Sequence, residues 1–279
     1  MKLTKTTVHY LGQPGSYSYL AAKKYFKNIK NLIGSDSFED IFNSLNKKER
    51  DYGIIPVENS LTGSITQNYD LLMKSDSFIS GEIILKIQHH LLVKEENTRL
   101  INLKYCYIHS ESLKQCQNFF MANKNINPIY AKNTASAAIL LNKKGLKNYC
   151  AIASSQAAQI NKLKIMNINV QNDDDNYTRF AVISGRSKKK GNKASIIFSL
   201  VHEPGSLLKA LKPYAEAGLN LSKIESRPII GKPWEYMFIV DFLLSNNTGN
   251  LNTVLNKMKK NTNYLKLLGV YDSGNIYES

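Results

Sequence analysis

From residue 6 to residue 184 this chain alternates short β-rich runs with segments of helical periodicity, a rhythm that few folds accommodate. Strand patterns run over 7–11, 53–57, 83–93, 105–109, 150–153 and 179–184, and helical patterns over 17–26, 38–45, 67–73, 113–121, 135–141 and 155–160. Ser, Thr or Asp precedes several of the helical segments, as helix N-caps do. The alternation predicts an α/β fold with parallel sheets and crossover helices. After a Gly/Ser/Asn-containing linker the rhythm changes to βαββαβ. Strands are expected at 194–201, 219–226, 236–243 and 265–271, with helices whose apolar faces carry Leu207, Leu208, Leu211 and Tyr214, then Leu251, Val254, Leu255 and Met258. That is a ferredoxin-like split βαβ unit, suited to regulation or assembly rather than chemistry.

The 279 residues suffice for two domains, each with its own core. A formal charge of +15, from 37 basic and 22 acidic residues, invites a nucleic-acid reading. The lysines are scattered, however, and the densest run, Lys188-Lys189-Lys190 with Arg186 and Lys193, lies in the linker. The charge reads as background first and as steering of an acidic substrate second, with no nucleic-acid partner expected. Cys106, Cys116 and Cys150 lack metal or redox spacing and read as buried thiols of a reducing compartment. The N-terminus shows no secretory h-region, and no run approaches the ~20 apolar residues of a spanning helix. A cytoplasmic protein without membrane contact is expected.

Asn176-Tyr177-Thr178-Arg179-Phe180 places a neutral hydroxyl and a fixed cation at the start of a strand, after the polar turn Asp173-Asp174-Asp175. Arg can grip a carboxylate through paired charge-assisted bonds, and a Thr hydroxyl can stabilise a departing oxygen. The aspartates lack the pattern of a calcium loop, and no metal site is expected. Gly12-Gln13-Pro14-Gly15-Ser16-Tyr17-Ser18 joins the first strand to the first helix, where free N-H groups attract an anion. Pro56-Val57-Glu58-Asn59-Ser60 with Gly63-Ser64 follows the carboxyl end of a strand, where α/β folds bind ligands. Asn59, Ser60 and Ser64 can donate to substrate oxygens, and Glu58 can hold Arg179 or neighbouring backbone. His89 and His90 read as one strand with the two rings on opposite faces. His109-Ser110-Glu111-Ser112 reads as a helix cap without chemistry.

Taken with His89, Leu91-Leu92-Val93 and Asn133-Thr134-Ala135-Ser136-Ala137-Ala138, these segments resemble prephenate dehydratase from about residue 7 to residue 272. The last unit resembles an ACT domain, on Pro204-Gly205-Ser206-Leu207-Leu208 and Glu225-Ser226-Arg227-Pro228. The resemblance implies a two-lobed, periplasmic-binding-protein-like catalytic domain over 1–185, with lobes at about 1–82 plus 172–185 and at 83–171. A linker at 186–193 and an ACT domain at 194–279 follow. It implies conversion of prephenate to phenylpyruvate, water and carbon dioxide without a cofactor. Thr178 would donate to the leaving hydroxyl and Arg179 would hold a carboxylate, with Asn59, Ser60, Ser64, Glu58 and Phe180 completing the substrate site. Gly205, Ser206, Leu207, Leu208, Glu225, Ser226, Arg227 and Pro228 would form an effector site for phenylalanine at a subunit interface of a homodimer or homotetramer. Gln13-Pro14 departs from the Pro-acid order common in the first motif, and Asn161 stands where an aromatic residue is frequent. No chorismate mutase segment precedes residue 7, which points to a monofunctional enzyme. Arogenate dehydratase, acting on the amino-acid analogue, is the nearest alternative, and a silent amino-acid-sensing ACT protein the alternative from another class.

Overall fold

The computed structural model describes residues 6–45, 51–144, 146–188, 190–229, 231–244 and 249–279. Residues 1–5 and Lys189, which entered the sequence reading of the N-terminus and the basic run, lie outside them. The first sheet begins with β1 (Thr7–Leu11), which lies parallel to β2 (Asn31–Ser35) and β3 (Asp51–Asn59). Helices α1 (Tyr17–Tyr25) and α2 (Phe38–Leu45) make the crossovers. Ser16 starts α1 by accepting a hydrogen bond from the Tyr19 N-H, which satisfies one of the free donors at the helix start. After the short β4 (Gly63–Ser64) and α3 (Thr66–Lys74), β5 (Phe78–Lys86) joins the same sheet.

At residues 87–89 the chain leaves for a second, five-stranded sheet. It comprises β6 (His90–Val93), β7 (Tyr105–His109), β8 (Asn127–Ala131), β9 (Tyr149–Ala153) and β10 (Lys164–Asn167), in the order β10-β6-β9-β7-β8. Helices α4 (Ser110–Gln115), α5 (Gln117–Ala122), α6 (Thr134–Lys144) and α7 (Ser155–Ile160) connect its strands. The chain then returns as β11 (Tyr177–Ser184), inserted antiparallel between β3 and β5. Two expectations are corrected here. The single strand over 83–93 is two strands in different sheets, so His89 lies in the connection rather than in a ladder. The helix over 113–121 is broken at Cys116, whose φ of −122° and ψ of 25° depart from helical values.

The C-terminal unit has β12 (Lys193–Ser199), α8 (Ser206–Glu216), β13 (Leu221–Ile229), β14 (Lys232–Leu243), α9 (Gly249–Lys259) and β15 (Tyr264–Tyr271). Its antiparallel sheet runs β13-β14-β12-β15. One face packs on the helices through Ile196, Phe198, Tyr214, Phe242 and Val254. The other joins a core shared with the first sheet, in which Ile197, Ile239, Leu268 and Tyr271 meet Ile55, Val57, Ala181 and Ile183, with Tyr69 and Leu72 of α3 between them. Burying side chains of this size contributes roughly 1.5–3 kcal/mol each, so the C-terminal unit is fastened to the first sheet as firmly as a core is. Two boundaries differ from expectation. Lys193, assigned to the linker, is buried in β12 with its ammonium 3.0 Å from both Glu82 oxygens. A last strand, β16 (Ile276–Glu278), leaves the C-terminal unit and pairs parallel with β5 at the edge of the first sheet.

Candidate active site

The two larger sheets face each other across a cleft of about 690 Å³ where the chain crosses between them. Its floor comes from the first sheet, where Thr178 and Phe180 of β11 stand beside Pro56 and Asn59 of β3. The ladder between these strands is irregular. Thr178 pairs with Asn59 and Arg179 with Glu58, but Phe180 pairs with Pro56, leaving Val57 as an extra residue on β3. This bulge turns two consecutive residues the same way. Val57 enters the core shared with the C-terminal unit and Glu58 points toward it, while Pro56 and Asn59 both line the cleft.

Asn59 is held in one orientation. Its Oδ1 accepts from the N-H groups of Leu61 and Thr62 at 3.0 and 3.1 Å, so its Nδ2 must face the other way. That nitrogen donates to Thr178 Oγ1 at 3.0 Å and to Asn176 Oδ1 at 2.7 Å. Thr178 Oγ1 therefore accepts from the protein, and its own proton is free to point into the cleft. Asn176, fully buried, passes the order onward, its Nδ2 donating to Gln115 Oε1 at 3.1 Å. The same oxygen lies 2.8 Å from His89 Nε2, and His89 Nδ1 is 3.1 Å from the Tyr17 hydroxyl. A continuous, partly buried chain of polar contacts thus ties Thr178 to both crossovers and to α4 beside the second sheet. Burial pushes the His89 pKa down to about 4, so the ring is neutral at pH 7, and burial raises that of Tyr17 well above the ordinary value.

The walls bring the N-termini of α1 and α6 to the cleft. Ser16, Tyr17 and Ser18 open α1, and Asn133 and Thr134 open α6, where Asn133 Oδ1 accepts from the Ser136 N-H at 2.8 Å. Free N-H groups and the helix dipole make such ends attractive to carboxylates. The β1–α1 loop can approach the second sheet only because residue 15 is glycine. It has φ +96°, and a Cβ there would lie 2.9 Å from Ala157 Cα. His109, Glu111, Ser112, Lys114 and Gln115 complete the far wall. His109-Ser110-Glu111-Ser112 was expected only to cap a helix, and nothing in its composition showed that this helix start would face a cleft. Among the described residues no three His, Cys, Asp or Glu side chains are grouped so as to hold a metal ion.

The remaining expected site residues lie elsewhere. Arg179, expected to hold a substrate carboxylate, points away from the cleft because successive side chains on a strand alternate faces. It is buried against Asp241 at 2.6 Å, Glu58 at 3.0 Å and Glu82 at 3.2 Å, with the Tyr69 hydroxyl at 3.1 Å. Burial by itself disfavours its charge, but Asp241 leads a set of neighbours that hold its pKa above the ordinary range. Glu58 faces the same way and pairs with Lys223 at 2.9 Å. Ser64 is turned by β4 toward Lys223 and Glu225 instead of substrate. The Ser60 hydroxyl is used in pinning the β11 approach, donating to the Asp175 carbonyl and accepting from the Tyr177 N-H.

The eight expected effector residues form two separate groups within one chain, because β14 lies between β12 and β13. Ser206 and Leu207 line a cavity of about 140 Å³ with Trp234 and Tyr236, beside Gly205 at φ +79° and an exposed Leu208. On β13, Arg227 pairs with Asp70 of α3, and Glu225 accepts from Ser64 of β4 and pairs with Lys223 two residues before it on β13. Ser226 is exposed, and Pro228 borders a second cavity of about 210 Å³ between α3 and the C-terminal sheet.

The family model for prephenate dehydratase matches residues 8–188. The chain belongs to the prephenate dehydratase family. The bifunctional chorismate mutase/prephenate dehydratase of Aquifex aeolicus is 34% identical over 277 residues, spanning 98% of this chain and 75% of that protein. The chloroplastic arogenate dehydratase/prephenate dehydratase 1 of Arabidopsis thaliana is 34% identical over 290 residues, spanning 96% and 72%. Among solved structures, GqqA, described as a novel type of quorum quenching acylase, superposes with a TM-score of 0.84 at 26% identity, covering 96% of this chain and 98% of that one. The prephenate dehydratase of Arthrobacter aurescens in complex with L-Phe superposes with a TM-score of 0.83, covering 96% and 90%, and at 23% identity it shows likeness of fold alone. The chain is thus a lyase of mixed α/β fold.

Proposed function

We propose that the cleft carries out the decarboxylative dehydration of prephenate to phenylpyruvate, with Thr178 as the hydrogen-bond donor to the leaving hydroxyl. The observation that carries this reading is the bond from Asn59 Nδ2 to Thr178 Oγ1. A donor aimed at that oxygen makes its O-H more acidic and stabilises the negative charge that develops as it donates. The electron pair of the breaking C–CO2 bond flows into the ring, which becomes aromatic as the C–O bond opposite breaks. Carbon dioxide leaves from one end, and at the other the hydroxyl, held by the Thr178 O-H, takes one proton from solvent and leaves as water. Aromatisation supplies the driving force, so the protein has chiefly to orient a dianion and favour charge movement toward the hydroxyl. In place of Arg179, the starts of α1 and α6, with Ser18 and Thr134, serve as the carboxylate receptors, and Phe180 and Pro56 offer an apolar floor to the ring.

We read the assembly as a two-lobed catalytic domain over 1–185, a linker at 186–192 and an ACT domain that begins with Lys193 and ends with β15, after which β16 returns to the catalytic domain. Phenylalanine, bound by the relative from Arthrobacter aurescens, is the proposed effector. Exposed Leu208 and Trp234 support pairing of ACT domains across subunits in a homodimer or homotetramer, which would bring the two effector segments together. A cytoplasmic setting fits three buried free thiols, Cys106, Cys116 and Cys150. Arogenate stays as the second substrate because relatives named for both activities match over most of the chain. Nothing in the cleft favours acyl transfer, since among the described residues no cleft serine or threonine is hydrogen-bonded to a histidine base.

The test is turnover of prephenate and of arogenate by the parent protein and by Thr178→Val and Thr178→Ser. Thr178→Val is expected to lower kcat by about 10²- to 10³-fold and Thr178→Ser by less than about tenfold. Parent-like turnover by Thr178→Val would remove the hydroxyl from the mechanism, and failure of the parent on both substrates would end the dehydratase reading.

A further inference from the structure

Arg179 is adjacent in sequence to Thr178 yet turns both terminal nitrogens of its guanidinium toward the seam between the first sheet and the C-terminal unit. Nη1 reaches Asp241 Oδ2 at 2.6 Å and Glu82 Oε2 at 3.2 Å, and Nη2 reaches Glu58 Oε2 at 3.0 Å and the Tyr69 hydroxyl at 3.1 Å. Of the three carboxylates only Asp241 belongs to the C-terminal unit. It is 1% exposed and is itself oriented by Ser195, whose hydroxyl donates to Oδ1 at 2.5 Å. The partner strand repeats the arrangement. Asn59, which holds Thr178 Oγ1, is preceded by Glu58, which is anchored by Arg179. The bulge at Val57 adjoins the Arg179–Glu58 pair on β3, so the β3–β11 ladder is regular on the Asn59 side of Glu58 and interrupted on the other, while β11 keeps its regular pairing with β5 there. Glu58 therefore stands at the edge of the interruption, where its ion pair with Arg179 anchors the end of β3 that carries Asn59.

We propose that Arg179 is a positioning residue, and that its ion pair with Asp241 makes the seating of the C-terminal unit a determinant of where the Thr178 hydroxyl stands. This rests on the reading of the cleft as a dehydratase site at Thr178. A grip on substrate would require the guanidinium to leave three carboxylates and cross to the other face of β11. The charges in this cluster are mutually dependent, so loss of one partner shifts the others. A small displacement of the donor is costly in rate, because catalysis requires the donor within hydrogen-bond reach of the leaving oxygen.

The experiment is steady-state kinetics on the full chain with Asp241→Asn and Arg179→Lys, alongside thermal melting. Asp241→Asn keeps the volume and the Ser195 contact but removes the charge. It is expected to lower kcat by about 5- to 30-fold, the range of couplings carried through packed networks, while KM stays within about twofold. Arg179→Lys, which keeps a cation but not the fork, is expected to show the same split. Should Asp241→Asn melt below the assay temperature, Ser195→Ala takes one hydrogen bond from the same carboxylate and is expected to lower kcat about two- to fivefold. A folded Asp241→Asn or Ser195→Ala enzyme with parental kcat would overturn the inference while leaving the dehydratase reading intact. A KM raised about tenfold or more in Arg179→Lys with kcat unchanged would return Arg179 to the substrate and overturn it as well. A parent without turnover on prephenate or arogenate would remove both.

Discussion

His89 holds the crossover together as a neutral ring, with its pKa pushed down to about 4, chiefly by burial. In the unfolded chain the same ring titrates near 6.5, so the unfolded state binds the extra proton first as pH falls. The stabilisation is whole above about pH 6.5 and drains away as pH falls toward 4, on the order of 3 kcal/mol in all. Urea midpoints measured from pH 7 to pH 4 should fall more steeply for the parent than for His89→Asn, and parallel profiles would contradict the assignment. At this scale the chain was legible by residue type and less so by direction. Thr178 and Asn59 could be chosen as a hydroxyl and an amide beside one another, and they share the cleft. Arg179 was chosen by the same chemistry, but it is one residue along a strand from Thr178, and period two sends it to the opposite face. Gln115 carried no local signal, since its importance comes from three partners far apart in sequence, His89, Asn176 and, through the latter, Asn59.

The sheets repeat that contrast. Interior strands such as β3, β9, β11 and β12 could be read from their apolar runs, whereas β2, β8, β10 and β16 escaped. All four are edges of their sheets, half open to solvent and carrying residues such as Asn31, Asn127, Pro128 and Lys164, so they lack the composition of buried strands. The bulge at Val57 was equally invisible, because a bulge depends on the partner strand. One close approach does have a sequence mark. Gly269 of β15 lies so near β5 that a Cβ would fall on the Ile79 carbonyl oxygen. Gly269→Ala should force the two sheets apart and destabilise the protein by about 1–3 kcal/mol, as overpacking does. A melting temperature equal to the parent's would show that the contact is slack.

For the molecule as a whole, the division into a chemical part and a regulatory part was apparent in the change of rhythm near residue 190, but the fusion of their cores was not. Periodicity marks which residue faces inward and says nothing about which neighbour it meets. Because Ile197, Ile239 and Tyr271 complete a core begun by Ile55, Ala181 and Ile183, calorimetry should record one cooperative transition. Two well-separated peaks would mean that the units melt independently. The strand β16 adds a constraint in time. It closes the open margin of β5, and the Ser279 hydroxyl accepts a hydrogen bond from the Gln88 N-H across a separation of 191 residues. That margin of β5 stays bare until residues 276–278 have been made, so β5 gains its outer partner only through a slow closure across most of the chain.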